Sequence, residues 1–127
     1  MKTINSICII DDDPITVFGM RKILQSVVAC DTIETFANGK LAIDEMQHRV
    51  HTKQAVPEVI FLDINMPIMD GWQFLEEFIK LNIEKGIRIN IVTSSIDTAD
   101  YDRWKSFESK THHTITFNNK PLCKENL

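Results

Sequence analysis

Five polar residues that could do chemistry stand where short apolar runs of the sequence stop. They are three carboxylates, one hydroxyl and one ammonium, at Asp11, Asp12, Asp63, Thr93 and Lys120. Short apolar runs are typical of buried parallel strands, and residues just beyond the carboxyl ends of such strands meet in one crevice of an open α/β sheet. We therefore expect the five side chains to share a single site.

Three carboxylates in one crevice would repel one another strongly. At a separation of about 4 Å, two unit charges repel by roughly 4 kcal/mol at an effective dielectric near 20. Three such pairs would rival the whole stability of a domain, which is about 5–15 kcal/mol. The crowding therefore predicts a divalent cation between the carboxylates.

The size and composition of the chain indicate one ordinary globular domain. Of its 127 residues, 43% are hydrophobic and 25% are charged, which is the usual balance for a soluble folded protein. We expect residues 1–127 to form a single domain. No stretch approaches the ~20 apolar residues that cross a bilayer, and the first residues show no signal-peptide core. The prediction is a cytoplasmic protein without a membrane segment.

Charge and cysteine usage argue against other classes of protein. The formal net charge is −4 and the basic residues are scattered, so direct binding to nucleic acid is not expected. Cys8, Cys30 and Cys123 are odd in number, and no close pair among them suggests a disulfide framework or a metal knuckle. Cys8 is expected in the core.

Strand-like and helix-like segments alternate along the sequence. Strands are expected at residues 7–10, 32–36, 59–62, 87–92 and 113–117, and apolar helical stripes at 17–27, 41–49, 72–82 and 101–107. Asp13 is expected to cap the first helix, and Asp97 or Thr98 the fourth. This alternation favours right-handed crossovers around a parallel sheet.

Four motifs follow one another along the chain. They are Ile9-Ile10-Asp11-Asp12-Asp13-Pro14, then the run from Ile60 through Asp63 to Met66-Pro67 and Asp70-Gly71, then Val92-Thr93-Ser94, and finally Lys120-Pro121. Together they resemble the receiver domain of two-component response regulators, and the resemblance covers nearly the whole chain. It implies a flavodoxin-like α/β fold, a three-layer sandwich whose five-stranded parallel sheet has the order 2-1-3-4-5.

The resemblance implies a function in a phosphorelay. Asp63 would accept a phosphoryl group from a sensor histidine kinase or a histidine phosphotransfer protein, because a carboxylate can act as a nucleophile when the charge of the incoming oxygens is screened. Such a domain catalyses only its own phosphorylation and dephosphorylation, so we do not expect an enzyme. The signal would pass to a downstream protein partner that the sequence does not identify.

The resemblance also implies a metal cofactor. Mg²⁺, or Mn²⁺, would be bound directly by Asp12 and Asp63, through water by Asp11, and by the backbone carbonyl of Asn65. Mg²⁺ takes oxygen ligands, keeps several waters and uses one or two protein carboxylates together with phosphate oxygens.

Three further residues have roles implied by the resemblance. Lys120 and Thr93 would contact the phosphoryl oxygens in the transition state. Phe117 would rotate inward when Thr93 moves, which would remodel the surface of the fourth helix and fifth strand. An aromatic residue in a terminal strand can equally be an ordinary core residue, so both readings of Phe117 stay open.

Two features depart from the family pattern. Only residues 122–127 follow Lys120-Pro121, so the last helix is expected to be short or missing. An uncovered flank would expose apolar side chains on strands one and five, which makes a homodimer possible. In the fourth strand, Asn90 would need a buried polar partner or a water molecule.

Three other functions compete with the phosphorelay. A phosphatase of the haloacid dehalogenase type also uses an aspartate nucleophile with Mg²⁺, but its motif has a second acid where this chain has Asn65. A pure interaction module would have a degenerate pocket, and the complete set of five polar residues argues against one. A zinc site lacks further ligands at a credible spacing, so the four histidines are expected at the surface: His48, His51, His112 and His113.

Overall fold

The computed structural model describes residues 2–95 and 97–122, in which strands and helices alternate. In chain order the elements are β1 (Lys2–Ile10), α1 (Pro14–Val27), β2 (Val28–Phe36), α2 (Gly39–His51), β3 (Val59–Leu62), α3 (Gly71–Phe78), β4 (Arg88–Thr93), α4 (Thr98–Glu108) and β5 (Thr114–Asn119). The strands form one parallel sheet in the order β2-β1-β3-β4-β5. The predicted flavodoxin-like strand order is confirmed.

Helices pack on both faces of the sheet, which produces three layers. The core on the α1 face includes Met20, Leu24, Ile7, Ile9 and Phe61. The core on the face of α2 and α3 includes Ile43, Met46, Leu62, Phe74 and Phe78. Each large apolar side chain that is fully buried contributes about 1.5–3 kcal/mol, so these two clusters stabilise the sheet that carries the site. Among the described residues, every helix is too short or too polar to traverse a lipid bilayer.

Each helix begins at a polar side chain that accepts a backbone hydrogen bond of the first turn. The capping residues are Asp13, Asn38, Asp70 and Asp97. The predicted cap at Asp13 is confirmed, and of the two candidates for α4 the cap is Asp97, whose Oδ1 accepts from the Ala99 N–H at 3.0 Å. Such caps contribute about 1 kcal/mol each. They fix the start of each helix beside the carboxyl ends of the strands.

Three element boundaries differ from the sequence prediction by more than two residues. β1 begins at Lys2 instead of residue 7, and β2 begins at Val28 instead of residue 32, directly after α1. The additional residues at the start of β1 pair with those at the start of β2. Their side chains include polar ones, so the apolar pattern of the sequence did not indicate these parts of the strands. The predicted stripe of α3 extends to residue 82, but the helix ends at Phe78 because the next segment turns to pack Leu81 and Ile83 against the core.

The sheet face formed by β4 and β5 is polar on the side opposite α4. Asn90 is buried and its Oδ1 accepts from Thr116 Oγ1 at 2.6 Å, while Asn118 Nδ2 donates to Thr116 Oγ1 at 3.1 Å. The predicted need of Asn90 for a buried partner is confirmed. The expected exposure of apolar side chains on strands one and five is wrong, because Ile7 is fully buried and β5 presents threonine and asparagine here. The possible homodimer stays a prediction, without support from large exposed apolar side chains on β1 or β5 among the described residues. The predicted short last helix falls on residues 122–127, of which residues 123–127 lie outside the described part of the chain.

One of the four histidines is not at the surface. His113 is only 3% exposed, its Nδ1 accepts from the Ile87 N–H at 2.9 Å, and its ring packs on Phe78 with centroids 5.3 Å apart. Burial, and then the neighbouring His112, lower the pKa of His113. The prediction of a surface histidine is wrong here because this ring completes the packing where β4 and β5 begin. The other three histidines are exposed as expected.

Candidate functional site

The carboxyl ends of β1 and β3 bring two aspartates side by side. The two strands pair in parallel with Ile10 opposite Leu62, so the next residues, Asp11 and Asp63, leave the sheet at the same level. The Asp63 N–H donates to the Ile10 carbonyl at 2.9 Å. Backbone hydrogen bonding therefore fixes the position from which Asp63 projects.

Asp11, Asp12 and Asp63 form an acidic cluster. One carboxylate oxygen from each lies within 4.8 Å of the corresponding oxygens of the other two. Asp11 and Asp63 are each only 5% exposed, whereas Asp12 is exposed. The cluster predicted from the sequence is present, with two members buried and one open to solvent.

Lys120 places an ammonium against the two buried carboxylates. Its Nζ lies 3.1 Å from Asp11 Oδ2 and 3.6 Å from Asp63 Oδ1. Its backbone N–H donates to the Thr93 carbonyl at 2.8 Å, which ties the segment after β5 to the end of β4. The Lys120-Pro121 peptide bond is cis. The structure therefore brings Lys120 to the acidic cluster, as the sequence predicts.

Burial and the neighbouring charges shift the pKa values of Asp63 and Lys120. The pKa of Asp63 is raised from 3.8 to about 6 because burial, and then the Asp11 carboxylate, disfavour its charged form. For Lys120, burial lowers the pKa, but the carboxylates of Asp11 and Asp63 outweigh burial, and the pKa is raised overall. One ammonium thus offsets only part of the negative charge. A cation beside these oxygens would lower the pKa of Asp63 again.

The acidic cluster has the ligand chemistry of a site for a hard divalent cation. Oxygen-only ligand sets suit Mg²⁺ and Mn²⁺, whereas zinc sites use nitrogen and sulfur ligands more often. Burial, and then the neighbouring Asp11 carboxylate, raise the pKa of Asp63, and a bound cation would offset the repulsion between the two carboxylates. The residues present therefore fit the predicted cofactor.

Thr93 lies at the end of β4, beside the site, and is fully buried. Its Oγ1 accepts a hydrogen bond from the Ser95 N–H at 3.1 Å. β4 pairs with β3 on one side and with β5 on the other, so Thr93 stands between the strand that ends at Asp63 and the strand that leads to Lys120. Its predicted place at the carboxyl edge of the sheet is the one observed.

Asn65 and Phe117 are the remaining residues that the sequence predicts for the site. Asn65 is exposed in the loop after β3. Phe117 is half-buried in β5, and its ring centroid lies 5.8 Å from that of Trp104 and 6.4 Å from that of Tyr101. Phe117 therefore belongs to an aromatic group between β5 and α4, and its proposed switching stays a prediction.

Gly71 supports the site through its backbone packing. It belongs to the second sequence motif, but the motif alone does not show why a glycine is needed at this position. A Cβ built on Gly71 would lie 2.4 Å from the Asp63 carbonyl oxygen and 2.9 Å from the Ile64 Cα. The Gly71 N–H donates to the Ile64 carbonyl at 2.9 Å. Only glycine fits, because the start of α3 packs directly against the backbone of Asp63. The Asp70-Gly71 pair of the second motif is the available signal.

A hydrogen-bonded group next to the site has no signal in the sequence pattern. Ser95 Oγ donates to Asp100 Oδ2, and Trp72 Nε1 donates to Asp100 Oδ1. Trp72 is buried and packs in the core, as its helical spacing predicts. Nothing in that spacing indicates the polar partner, which comes from another helix.

Comparison with known proteins agrees with this geometry. Residues 7–123 match the response regulator receiver domain family. A curated relative from Treponema pallidum, a protein-glutamate methylesterase/protein-glutamine glutaminase, is 29% identical over 133 residues, covering 94% of this chain and 31% of the relative. Across the first three such relatives, the chain spans only 19% to 31% of their length.

Two solved structures share the fold. A two-component response regulator from Cytophaga hutchinsonii superposes with a TM-score of 0.80 at 23% identity, covering 98% of this chain and 92% of that chain. A response regulator in its Mn²⁺-bound form superposes with a TM-score of 0.76 at 19% identity, covering 97% of this chain and 86% of that chain.

The family match runs over almost the whole sequence, and the strand order, the acidic cluster and the lysine beyond β5 all agree with it. The chain therefore belongs to the response regulator receiver family, the receiver domains of two-component signalling systems.

Proposed function

We propose that Asp63 accepts a phosphoryl group from the phosphohistidine of a sensor histidine kinase or a histidine phosphotransfer protein. The observation that carries this proposal is the buried Asp63 carboxylate, which lies in a cluster with two other carboxylates and 3.6 Å from the Lys120 ammonium. An Asp63 oxygen attacks phosphorus, the phosphorus–nitrogen bond breaks, and the imidazole leaves with the bonding electrons. The product is an acyl phosphate on Asp63.

The reaction requires charge screening, which Mg²⁺ or Mn²⁺ would provide. Asp12 and Asp63 would bind the cation directly, Asp11 through water and Asn65 through its backbone carbonyl. The cation would neutralise charge on the phosphoryl oxygens. The fit of the oxygen cluster supports this assignment, as does the Mn²⁺-bound form of a protein with the same fold.

Lys120 and Thr93 would stabilise the transferring group. The ammonium of Lys120 already faces Asp63, so it is placed to contact an oxygen of an incoming phosphoryl group. Thr93 would donate its hydroxyl hydrogen to another of these oxygens. Fixed donors of this kind act mainly by stabilising charge that develops in the transition state.

Exposed apolar side chains around the acidic cluster support a protein as the phosphoryl donor. Ile15 and Ile68 are each 80% exposed and Phe18 is 62% exposed. Ile15 and Phe18 lie in the first turns of α1, and Ile68 lies in the loop after Asp63. Phe18 lines a groove of about 420 Å³ together with Asp11 and Asp12. A donor protein would cover these side chains while its histidine reaches Asp63.

Phosphorylation would change the surface of α4 and β5 and so control a downstream protein. The acyl phosphate adds about −1.5 to −2 of charge, which draws the Thr93 hydroxyl toward it. Phe117 would follow into the vacated space. Its position beside Tyr101 and Trp104 supports this, because an inward rotation would alter the aromatic group that contacts α4.

Intact-mass measurement after incubation with acetyl phosphate and Mg²⁺ tests the proposal. The expected result is the mass gain of one phosphoryl group, which is lost in D63N and in buffer containing EDTA. An unmodified wild-type protein would contradict it and favour a pure interaction module. Rapid repeated release of inorganic phosphate would instead indicate a phosphatase.

A further inference from the structure

A chain of hydrogen bonds leads from the Thr93 hydroxyl to the junction of α3 and α4. The Ser95 N–H donates to Thr93 Oγ1 at 3.1 Å. Ser95 Oγ donates to Asp100 Oδ2 at 2.5 Å. The other oxygen of this carboxylate, Oδ1, accepts from Trp72 Nε1 at 3.0 Å. Asp100 on α4 therefore joins the loop after β4 to a tryptophan on α3.

Ser95 is held at each of its polar groups. Besides the bonds to Thr93 and Asp100, its carbonyl accepts from Asn119 Nδ2 at 3.0 Å, and its Oγ accepts from the Asp97 N–H at 3.3 Å. A shift of the Ser95 backbone toward Asp63 would lengthen several of these bonds together. Ser95 is thus fixed between β4, α4 and β5.

Trp72 contacts α4 near both of its ends. Its indole N–H bonds to Asp100 in the first turn, and its ring stacks on Phe107 in the last turn, with centroids 5.8 Å apart and an interplanar angle of 7°. α4 itself contains no fully buried residue. The bridge through Trp72 is therefore one of two sets of contacts among the described residues that hold this helix, the other being the packing of Tyr101 and Trp104 on Phe117 of β5.

We propose that Asp100 is a positioning residue that holds Ser95, and through it Thr93, in the unphosphorylated arrangement, and that phosphorylation loosens its bond to Trp72. The proposal rests on the proposed function of Asp63. When the Thr93 hydroxyl moves toward the phosphoryl group, its hydrogen bond with the Ser95 N–H either pulls Ser95 in the same direction or breaks. Asp100 and Trp72 pass this change to α4.

Thermodynamic reciprocity gives the direction of the effect. If the Asp100 contacts favour the unphosphorylated state, removing them must favour the phosphorylated state by the same factor. Allosteric couplings of this kind typically range from about 5-fold to 150-fold. We therefore expect D100A to bind the phosphoryl analogue beryllofluoride, in Mg²⁺, roughly 5-fold more tightly than the wild-type protein.

Three matched variants separate positioning from a merely structural role. W72F keeps an aromatic ring to stack on Phe107 but removes the indole N–H, and it should tighten beryllofluoride binding by a smaller factor than D100A. D100N keeps one acceptor oxygen and should fall between D100A and the wild-type protein. D102A removes an exposed carboxylate from the same helix and should leave the affinity unchanged.

Trp72 fluorescence supplies a second, spectroscopic readout. Trp72 and Trp104 are the two tryptophans of the sequence, so in W104F Trp72 is the sole source of tryptophan emission when excitation is chosen to avoid Tyr101. Beryllofluoride with Mg²⁺ should shift its emission as the bond to Asp100 loosens, and W104F/D100A should show the shifted emission without any ligand.

The results distinguish this inference from the proposed function. If acetyl phosphate does not modify Asp63, the proposed function of Asp63 and the proposed role of Asp100 are both overturned. If Asp63 is modified but D100A binds beryllofluoride no more tightly than the wild-type protein, only the role of Asp100 is overturned. An unchanged Trp72 emission in the beryllofluoride-bound W104F protein overturns it as well.

Discussion

The Lys120 ammonium lies closer to Asp11 than to Asp63, at 3.1 Å from Asp11 Oδ2 and 3.6 Å from Asp63 Oδ1. The shorter ion pair of Lys120 is therefore with Asp11, and the longer one is with the acceptor Asp63. Asp63 keeps a pKa of about 6, well above that of an ordinary aspartate. The negative charge of the acceptor carboxylate is thus only partly compensated in the metal-free protein, which favours the binding of a cation beside it.

Replacing Asp63 with Asn should raise the free energy of unfolding at pH 7 in metal-free buffer by about 1–3 kcal/mol. The pKa of Asp63 is raised from 3.8 in the unfolded reference to about 6 in the folded state. The folded state therefore binds the proton more tightly, and the contribution of Asp63 to stability falls as the pH rises between these two values. Urea denaturation measures the difference, which should vanish near pH 4.

The control for this comparison is D31N, which removes an exposed carboxylate from β2 and should change stability by less than about 0.5 kcal/mol. A D63N protein that is less stable than the wild-type protein at pH 7 without metal would show that the carboxylates are not crowded.

Mg²⁺ should stabilise the folded protein. At a free concentration 100 times its dissociation constant, a ligand that binds only the folded state adds about 2.7 kcal/mol to the free energy of unfolding. D12N and D63N should lose most of this gain, because each removes a carboxylate of the acidic cluster. Urea denaturation with Mg²⁺ and with EDTA measures the gain, and equal stabilisation of D12N and the wild-type protein would remove Asp12 from the metal site.

Replacing Lys120 with Met should destabilise the metal-free protein by about 1–3 kcal/mol. The change leaves Asp11 and Asp63 buried without their cation, and removing one partner of a fully buried pair costs about 3–5 kcal/mol. The smaller value is expected because the Lys120 side chain is 22% exposed. Phosphorylation by acetyl phosphate should slow by on the order of 100-fold, as for the loss of one transition-state donor.

The matched control is K40M, which removes an exposed i,i+4 partner of Asp44 on α2 and should cost only about 0.3–0.5 kcal/mol. Phosphorylation of K120M at the wild-type rate would contradict a direct role of the ammonium.

Replacing Gly71 with Ala should destabilise the protein by about 1–3 kcal/mol, since overpacking forces the backbone to shift. The new Cβ would stand 2.4 Å from the Asp63 carbonyl oxygen, so phosphorylation should slow as well. G19A is the control, because a Cβ at Gly19 in α1 has no neighbour within 4 Å. G19A should gain up to about 1 kcal/mol from helix propensity, and equal stability of the two variants would contradict the close packing at Gly71.

The fold was predictable where apolar runs and caps are strong. β3 is buried on both faces over the predicted residues, and Asp13 caps α1 as predicted. The first halves of β1 and β2 were not predictable, because their pairing with each other forms the strands and their side chains carry no clear alternation. His113 was misjudged for a related reason, since its burial depends on Phe78 from another element.

The site was predictable where residues directly follow strand ends. Asp11 and Asp63 meet because parallel register carries Ile10 and Leu62 to the same level. The bond between Trp72 and Asp100 could not be predicted, because it depends on how α3 and α4 lie against each other. Sequence spacing along either helix does not contain that information.

The most direct test of the central claim is to locate the phosphoryl group. The wild-type protein is phosphorylated by a phosphohistidine donor in Mg²⁺, the acyl phosphate is reduced with borohydride to homoserine, and peptides are sequenced by mass spectrometry. We expect homoserine at position 63 and at neither Asp11 nor Asp12. Homoserine at another aspartate, or a phosphoryl group resistant to reduction, would contradict it.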